Sequence, residues 1–260
     1  MRQQDRFGVI LEHLNRDSSV TVPILAAHLG VSAATVRRDL QALESQQLLT
    51  RTHGGAVSSG VLYELPMRYR GGRQLEAKRA IARVAAQLLP PGPASVALNG
   101  GSTTTEVARA LAGRPALRVV TNALNIAADL AVRPNIDLVV CGGSARSQSY
   151  ELVGPLAELT LAHLNVDMAF IGVDGLSLPA GLTTYSEMEA HTDRALVAAA
   201  DRIVVVTDSS KLGRRAFARI CDIRGITDLV TDSNAESEEL DAYARAGIRV
   251  EVAQVPPPSA

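Results

Sequence analysis

The chain has 260 residues, 47% of them hydrophobic and 20% charged, with a formal net charge of −1. That length and apolar content suit roughly two globular domains with real cores, and the near-neutral balance excludes coating of nucleic acid by overall charge, so any DNA contact has to come from a local basic patch. No stretch approaches the ~18 apolar residues of a membrane span and MRQQDRFGVI lacks the shape of a signal peptide, so no membrane partner and a cytoplasmic location are expected. Cys141 and Cys221 stand alone, without a CxxC or His-spaced partner, and read as small apolar fillers; no metal or other cofactor is implied.

In chain order, Asp5 to Arg16 is predicted as an amphipathic helix with Val9, Ile10, Leu11 and Leu14 available for packing. Thr21 to Gly30 reads as a second short helix with Leu25 and Leu29 inward, and Gly30-Val31 as the tight turn of a helix-turn-helix. Ser32 can cap a third helix by accepting from a first-turn N–H, with Val36, Leu40 and Leu43 at i, i+4 and i+7 on its buried face. Arg37 and Arg38 leave that stripe, while Ala33, Ala34 and Thr35 keep the helix start small enough to approach a groove floor. An isolated arginine pair is more often a solvated face; the neighbouring turn and strand reverse that weighting. Leu48 to His53 is a short extended run ending at Gly54-Gly55, where positive φ is available for a hairpin tip, so Arg51 and His53 are expected on a wing along phosphates.

The stretch AAHLGVSAATVRRDLQALESQQLLTRTHGGAV resembles the winged N-terminal domain of the DeoR family of bacterial transcriptional repressors. The resemblance implies a DNA-binding domain over 1–57. The family usually has Gly between recognition helix and wing, where this chain has Gln46-Gln47.

Residues 58–74, with Ser58-Ser59-Gly60, Pro66 and Gly71-Gly72, read as a linker in which Leu62, Tyr63, Leu65 and Tyr69 have room to dock. Leu75 to Leu89 resumes helical periodicity and Pro90-Pro91-Gly92-Pro93 ends it. Seven apolar runs then alternate with helical segments: Ser95 to Leu98, Leu117 to Thr121, Ile136 to Cys141, Val166 to Val173, Ile203 to Thr207, Leu229 to Thr231 and Ile248 to Val252. Continuous rather than alternating runs are those of strands covered on both faces, which predicts a mostly parallel sheet in an α/β domain over 75–254, followed by a disordered tail over 255–260.

Ligands in that architecture sit beyond the carboxyl ends of strands. There lie Asn99, Gly100 and Gly101, then Ser102, Thr103 and Thr104 before a helix from Glu106, built like an anion cradle of backbone N–H groups, hydroxyls and a helix start. Such a loop alone reads equally well as a bare turn. Thr121-Asn122, Gly142-Gly143, Gly172 with Asp174 and Gly175, and Asp208-Ser209-Ser210-Lys211 place small or polar residues at other strand ends, which favours a pocket. Lys211 is one of two lysines against 24 arginines, and a compact ammonium suits a phosphate in a tight cavity; Arg146 ranks below it as a second phosphate partner.

This half also resembles the DeoR family's effector domain, through VALNGGSTTTEVARAL, VVTNALNIA, VVCGGSARSQSYELVGPLA, VDMAFIGVDGLSLPAGLT and VVVTDSSKLGRRAF. The resemblance implies a fold similar to ribose-5-phosphate isomerase and a phosphorylated sugar, or sugar derivative, bound at the matching loops. Asn99 stands where family members commonly carry Asp. The expected function is a repressor of carbohydrate-metabolism genes, acting as a homo-oligomer, dimer or tetramer, on double-stranded operator DNA under control of that effector. The alternative is a sugar-phosphate isomerase-like enzyme with an accessory helical domain, Asp174 serving as general base and Lys211 as electrophile.

Overall fold

The structure, a computed structural model, describes residues 2–58, 65–70 and 74–256. They belong to two compact units, Met1–Arg73 and Gln74–Ala260.

In the first unit the described elements are α1 (Gln3–Asp17), β1 (Ser19–Thr21), α2 (Val22–Leu29), α3 (Ala33–Ser45), β2 (Thr50–Thr52), β3 (Gly55–Val57) and α4 (Met67–Arg70). Phe7, Ile10, Leu11 and Leu14 of α1 pack on Leu25 and Leu29 of α2 and on Val36, Leu40 and Leu43 of α3. Gly30 turns the chain from α2 to α3 at φ 62°, in the left-handed region. The wing is a three-stranded antiparallel sheet in the order β1-β3-β2. Strand β1 went unpredicted because three residues carry too little pattern.

One expectation about backbone geometry is corrected. Neither glycine of the hairpin tip uses a positive φ; Gly55 is needed instead because a Cβ there would land on the Val20 carbonyl of β1. The bend after α3 is kept without glycine: Gln47 itself takes φ 59°, and the N–H groups of Gln47 and Leu48 return to the carbonyls of Glu44 and Leu43 at 2.8 and 3.1 Å. Within the stretch expected as linker, Met67–Arg70 is helical, with Tyr69 buried 5.8 Å from the Phe7 ring and Leu65 packed against the same core. Leu62, Tyr63 and Gly71-Gly72 lie outside the described residues.

The second unit runs α5 (Leu75–Gln87), β4 (Ala94–Leu98), α6 (Ser102–Leu111), β5 (Leu117–Thr121), α7 (Leu124–Ala131), β6 (Ile136–Val140), β7 (Ser144–Arg146), β8 (Glu151–Val153), α8 (Pro155–Leu161), β9 (Val166–Ile171), β10 (Gly175–Ser177), β11 (Gly181–Thr184), α9 (Glu187–Ala198), β12 (Ala200–Val206), β13 (Ala218–Cys221), β14 (Asp228–Asp232), α10 (Ser237–Arg245) and β15 (Arg249–Ala253). All seven predicted runs are strands of one sheet, ordered β15-β14-β12-β9-β4-β5-β6 and parallel at every pairing. Alternate strand residues feed two cores. Val96, Leu98, Phe170 and Val204 meet α5, α6 and α7, whereas Ala97, Ala169, Ile171 and Val205 meet α8, α9 and α10. Each fully buried aliphatic side chain contributes about 1.5–3 kcal/mol, which is why this double burial fixes the layers.

The chain leaves β4 for β5 and β6 on one side and returns through β9 on the other, so β4 and β9 flank the switch point at which a parallel sheet opens a crevice. Over it fold two antiparallel additions that the apolar runs do not announce, the β7–β8 hairpin and the small sheet β10-β11-β13. Of the tail, Val255 donates to the Ser233 hydroxyl, and 257–260 lie outside the described residues. No described helix is long and apolar enough to cross a membrane.

Candidate functional site

In the first unit, the Ser32 hydroxyl accepts from the Thr35 N–H at 3.2 Å and lies 3.0 Å from the Thr35 hydroxyl, which fixes the start of α3. Ala34, Arg37 and Arg38 are exposed, and among the described residues neither guanidinium has a partner. The opposite face carries a buried carboxylate: Asp39 accepts from Arg6 Nε at 2.6 Å and Nη2 at 3.0 Å, pinning α3 to α1. On the wing His53 is exposed at the tip. Arg51 is less available than expected, because its backbone N–H donates to Glu44 at 3.1 Å and its guanidinium lies 3.8 Å from the same carboxylate.

At the switch point of the second unit, the Asn99 side chain bridges β4 to the end of β9. Its Oδ1 accepts from the Gly172 N–H at 2.8 Å, while Nδ2 donates to the Gly172 carbonyl at 3.0 Å and to Asp193 at 3.1 Å. Helix α6 starts at Ser102, earlier than predicted, because the Thr104 and Thr105 hydroxyls bond back to the Gly101 carbonyl within the first turn. The hydroxyls of Ser102 and Thr103 have no partner among the described residues, and the first-turn N–H groups of 102–104 are the donors any helix start leaves open.

Around this start stand four buried carboxylates: Glu151, Asp174, Glu189 and Asp193. Arg146 pairs with Glu189 at 2.7 Å, Lys211 lies 3.6 Å from Asp174, and the Thr184 hydroxyl lies 3.1 and 2.9 Å from Asp174 and Glu189. Burial first, then the charges of Asp193 and Glu189, push Glu151 well above the usual carboxylate range; burial and Glu189 do the same to Asp193. Among the described residues no cluster of His, Cys, Asp and Glu suits a metal ion. Burial also raises the Cys141 and Cys221 thiols to about 11, in keeping with apolar fillers.

The family model of the DeoR-like helix-turn-helix domain matches residues 6–60, and that of the DeoR C terminal sensor domain matches 73–233. The chain belongs to the DeoR family of transcriptional regulators. It is 35% identical to a putative aga operon transcriptional repressor of Escherichia coli O157:H7, over 95% of this chain and 92% of that one. To the HTH-type transcriptional regulator GlpR of Haloferax volcanii it is 36% identical, over 96% and 98%, and to the glycerol-3-phosphate regulon repressor of Escherichia coli K12 31%, over 90% and 92%. Among solved structures, ribose 5-phosphate isomerase A from Methanocaldococcus jannaschii aligns over 54% of this chain and 55% of that one, at 22% identity and a TM-score of 0.40.

Several sensor residues expected to face an effector are spent inside this DeoR chain. Asn99, 2% exposed, has both amide hydrogens and its oxygen committed. The Thr121 hydroxyl donates to the Leu98 carbonyl at 2.7 Å and accepts from Ala123 at 3.1 Å; Asn122 is fully buried with Nδ2 donating to the Leu152 carbonyl at 3.2 Å, while its Oδ1 has no hydrogen-bond partner. Gly143 lies under the backbone of β8 and Gly175 under that of the loop before β13, where a Cβ would come within 2.6 Å of the Val153 carbonyl and 2.7 Å of the Arg214 carbonyl. Gly172 and Gly101 stay at the crevice, beside Thr104. Gly100, Asp174, Arg146 and Lys211 converge there too, the last two already holding carboxylates. Sequence reasoning missed Glu151, Glu189 and Asp193. A signal existed for two of them: Glu189 and Asp193 stand at i and i+4 ahead of Leu196, on the buried stripe of α9.

Proposed function

We propose that the chain is a DNA-binding transcriptional repressor of carbohydrate-metabolism genes in the cytoplasm, whose grip on double-stranded operator DNA is controlled by a phosphorylated sugar in the sensor unit. The observation that carries the DNA half is the exposed pair Arg37 and Arg38, unpartnered on a helix held rigid by the Ser32 cap and the Arg6–Asp39 pair. Ala33, Ala34 and Thr35 then approach the major-groove floor, while Arg51 and His53 on the wing track phosphate. The sensor half rests on the open donors at the start of α6 beside Lys211, which suit an anion. A homo-oligomer, dimer or tetramer, presents paired recognition helices to repeated half-sites. The names of the similar regulators support the same reading. As an enzyme the site has less behind it, since Asp174 faces Lys211 and Thr184 and is already braced as an acceptor.

The test is a gel shift on the DNA upstream of the chain's own gene, repeated with Arg37→Ala and Arg38→Ala. Loss of a base contact is expected to cost roughly 1 to 3 kcal/mol and relax one position, and loss of a phosphate contact to lower the salt slope by about one. Binding by both variants equal to wild type would overturn the assignment of this face.

A further inference from the structure

We propose that Glu151 is part of the effector site, and that an anion bound at the start of α6 enters together with one proton, taken from solvent by the Glu151 carboxyl. The inference rests on the reading of residues 100–104 as the anion site. Glu151 reaches that loop from β8: its carboxyl lies against Gly100, in the space where a side chain at 100 would stand, and the Gly100 N–H favours its charged form. In the free protein it thus occupies one of the donors expected to hold a phosphate. An ionised carboxylate there and a phosphate on the next N–H groups would set two anions on one helix start.

The surroundings do not relieve that conflict. Asp193 and Glu189 on α9 and Asp174 beyond β9 face Glu151 with like charge. Arg146, opposite Glu151 in the hairpin register, is engaged by Glu189, and Lys211 stands beside Asp174. Glu151 Oε2 and Asp193 Oδ1 are buried with no hydrogen-bond partner, although the two residues are only 3% and 2% exposed. A fully ionised pair left so would be very costly, whereas a carboxylic acid is tolerated. The pocket therefore sets a readily reprotonated acid against its own anion cradle, and it is the ionised fraction of that acid that takes up a proton when an anion enters. Each negative charge brought in strengthens that acid's hold on the proton, and by linkage the anion's affinity falls as pH rises.

The full-length chain can be tested with sulfate, whose two charges do not change near or above neutral pH, so that any pH dependence of its binding belongs to the protein. Calorimetric titration in buffers of different ionisation enthalpy counts the protons taken up. Wild type is expected to absorb up to about one proton per sulfate and to lose up to about tenfold in affinity per pH unit over part of the range. Glu151→Gln is expected to bind sulfate more tightly at the alkaline end, with a flat profile and no uptake. The wild-type proton count is a readout of its own should the variant fold poorly. Sulfate bound without proton uptake by wild type, or with the same pH profile in Glu151→Gln, would overturn the inference and leave the anion site standing. Failure of both sulfate and inorganic phosphate to bind either protein would remove the anion site, and the inference with it.

Discussion

In the first unit both oxygens of the buried Asp39 carboxylate accept from the Nε/Nη2 edge of the Arg6 guanidinium, at 2.6 and 3.0 Å, whereas in the second Glu151 and Asp193 are buried with one oxygen each left unpartnered. Both arrangements take carboxylates out of water, which costs several kcal/mol per ion unless a partner compensates. The first is compensated in full and joins α1 to α3, so it explains architecture. The second is not, since four carboxylates face Arg146 and Lys211 at the mouth of the sheet. Incomplete compensation at a switch point is what the proposed effector site shows and the structural clasp does not.

The comparison breaks most visibly at Arg6. Arg6→Ala strands a buried carboxylate and is expected to cost about 3 kcal/mol, lowering the calorimetric melting of the first unit by more than about 10 °C while leaving the transition of the second in place. A loss under about 0.5 kcal/mol, the range of an ordinary surface change, would mean that Asp39 finds water and that the clasp is ornamental.

Asn99→Asp sharpens the other side. An aspartate at this position cannot donate to the Gly172 carbonyl and sets a further negative charge 3.1 Å from Asp193. About 2 kcal/mol of sensor-unit stability should be lost near neutral pH. The new acid's folded pKa is raised above its unfolded value, so the native state binds the extra proton, and stability present below the unfolded carboxylate pKa is lost as pH rises through the folded one. Melting at a mildly acidic and a mildly alkaline pH checks this; a variant-to-wild-type gap that stays constant with pH would contradict it.

Gln47→Gly has the smallest expected effect. Relieving a left-handed glutamine should stabilise the first unit by roughly 0.5–1 kcal/mol in a denaturant melt, net of the added freedom of the unfolded chain. Destabilisation would show that the Gln47 side chain does more than tolerate the bend.

What was legible in the sequence follows from how local each signal is. The stripes of α1 and α3, the Ser32 cap and all seven parallel strands are set by neighbours in the chain and were readable, as was the exposure of Arg37 and Arg38, which follows from leaving a helical stripe. The sensor pocket is set largely by partners distant in the chain, such as Arg146 with Glu189, 43 residues apart, and Asn99 with Asp193, 94 apart. No local pattern says whether the Thr121 hydroxyl will meet a ligand or, as it does, the Leu98 carbonyl. Glu151 escaped notice for the same reason, since its role comes from a hairpin folding over Gly100.

The account's central claim, that sensing and DNA binding are separate and coupled, is tested most directly by operator affinity of Lys211→Ala and wild type, measured with and without the phosphorylated sugar that most raises the wild-type melting temperature. Because Lys211 neutralises Asp174, the variant should melt somewhat lower without ligand, so the informative quantity is the ratio of the two affinities within each protein. The account predicts that Lys211→Ala binds operator like wild type in the absence of sugar phosphate, while the ratio collapses toward one in its presence. A variant that responds as fully as wild type, or one that loses operator binding without any ligand, would contradict it.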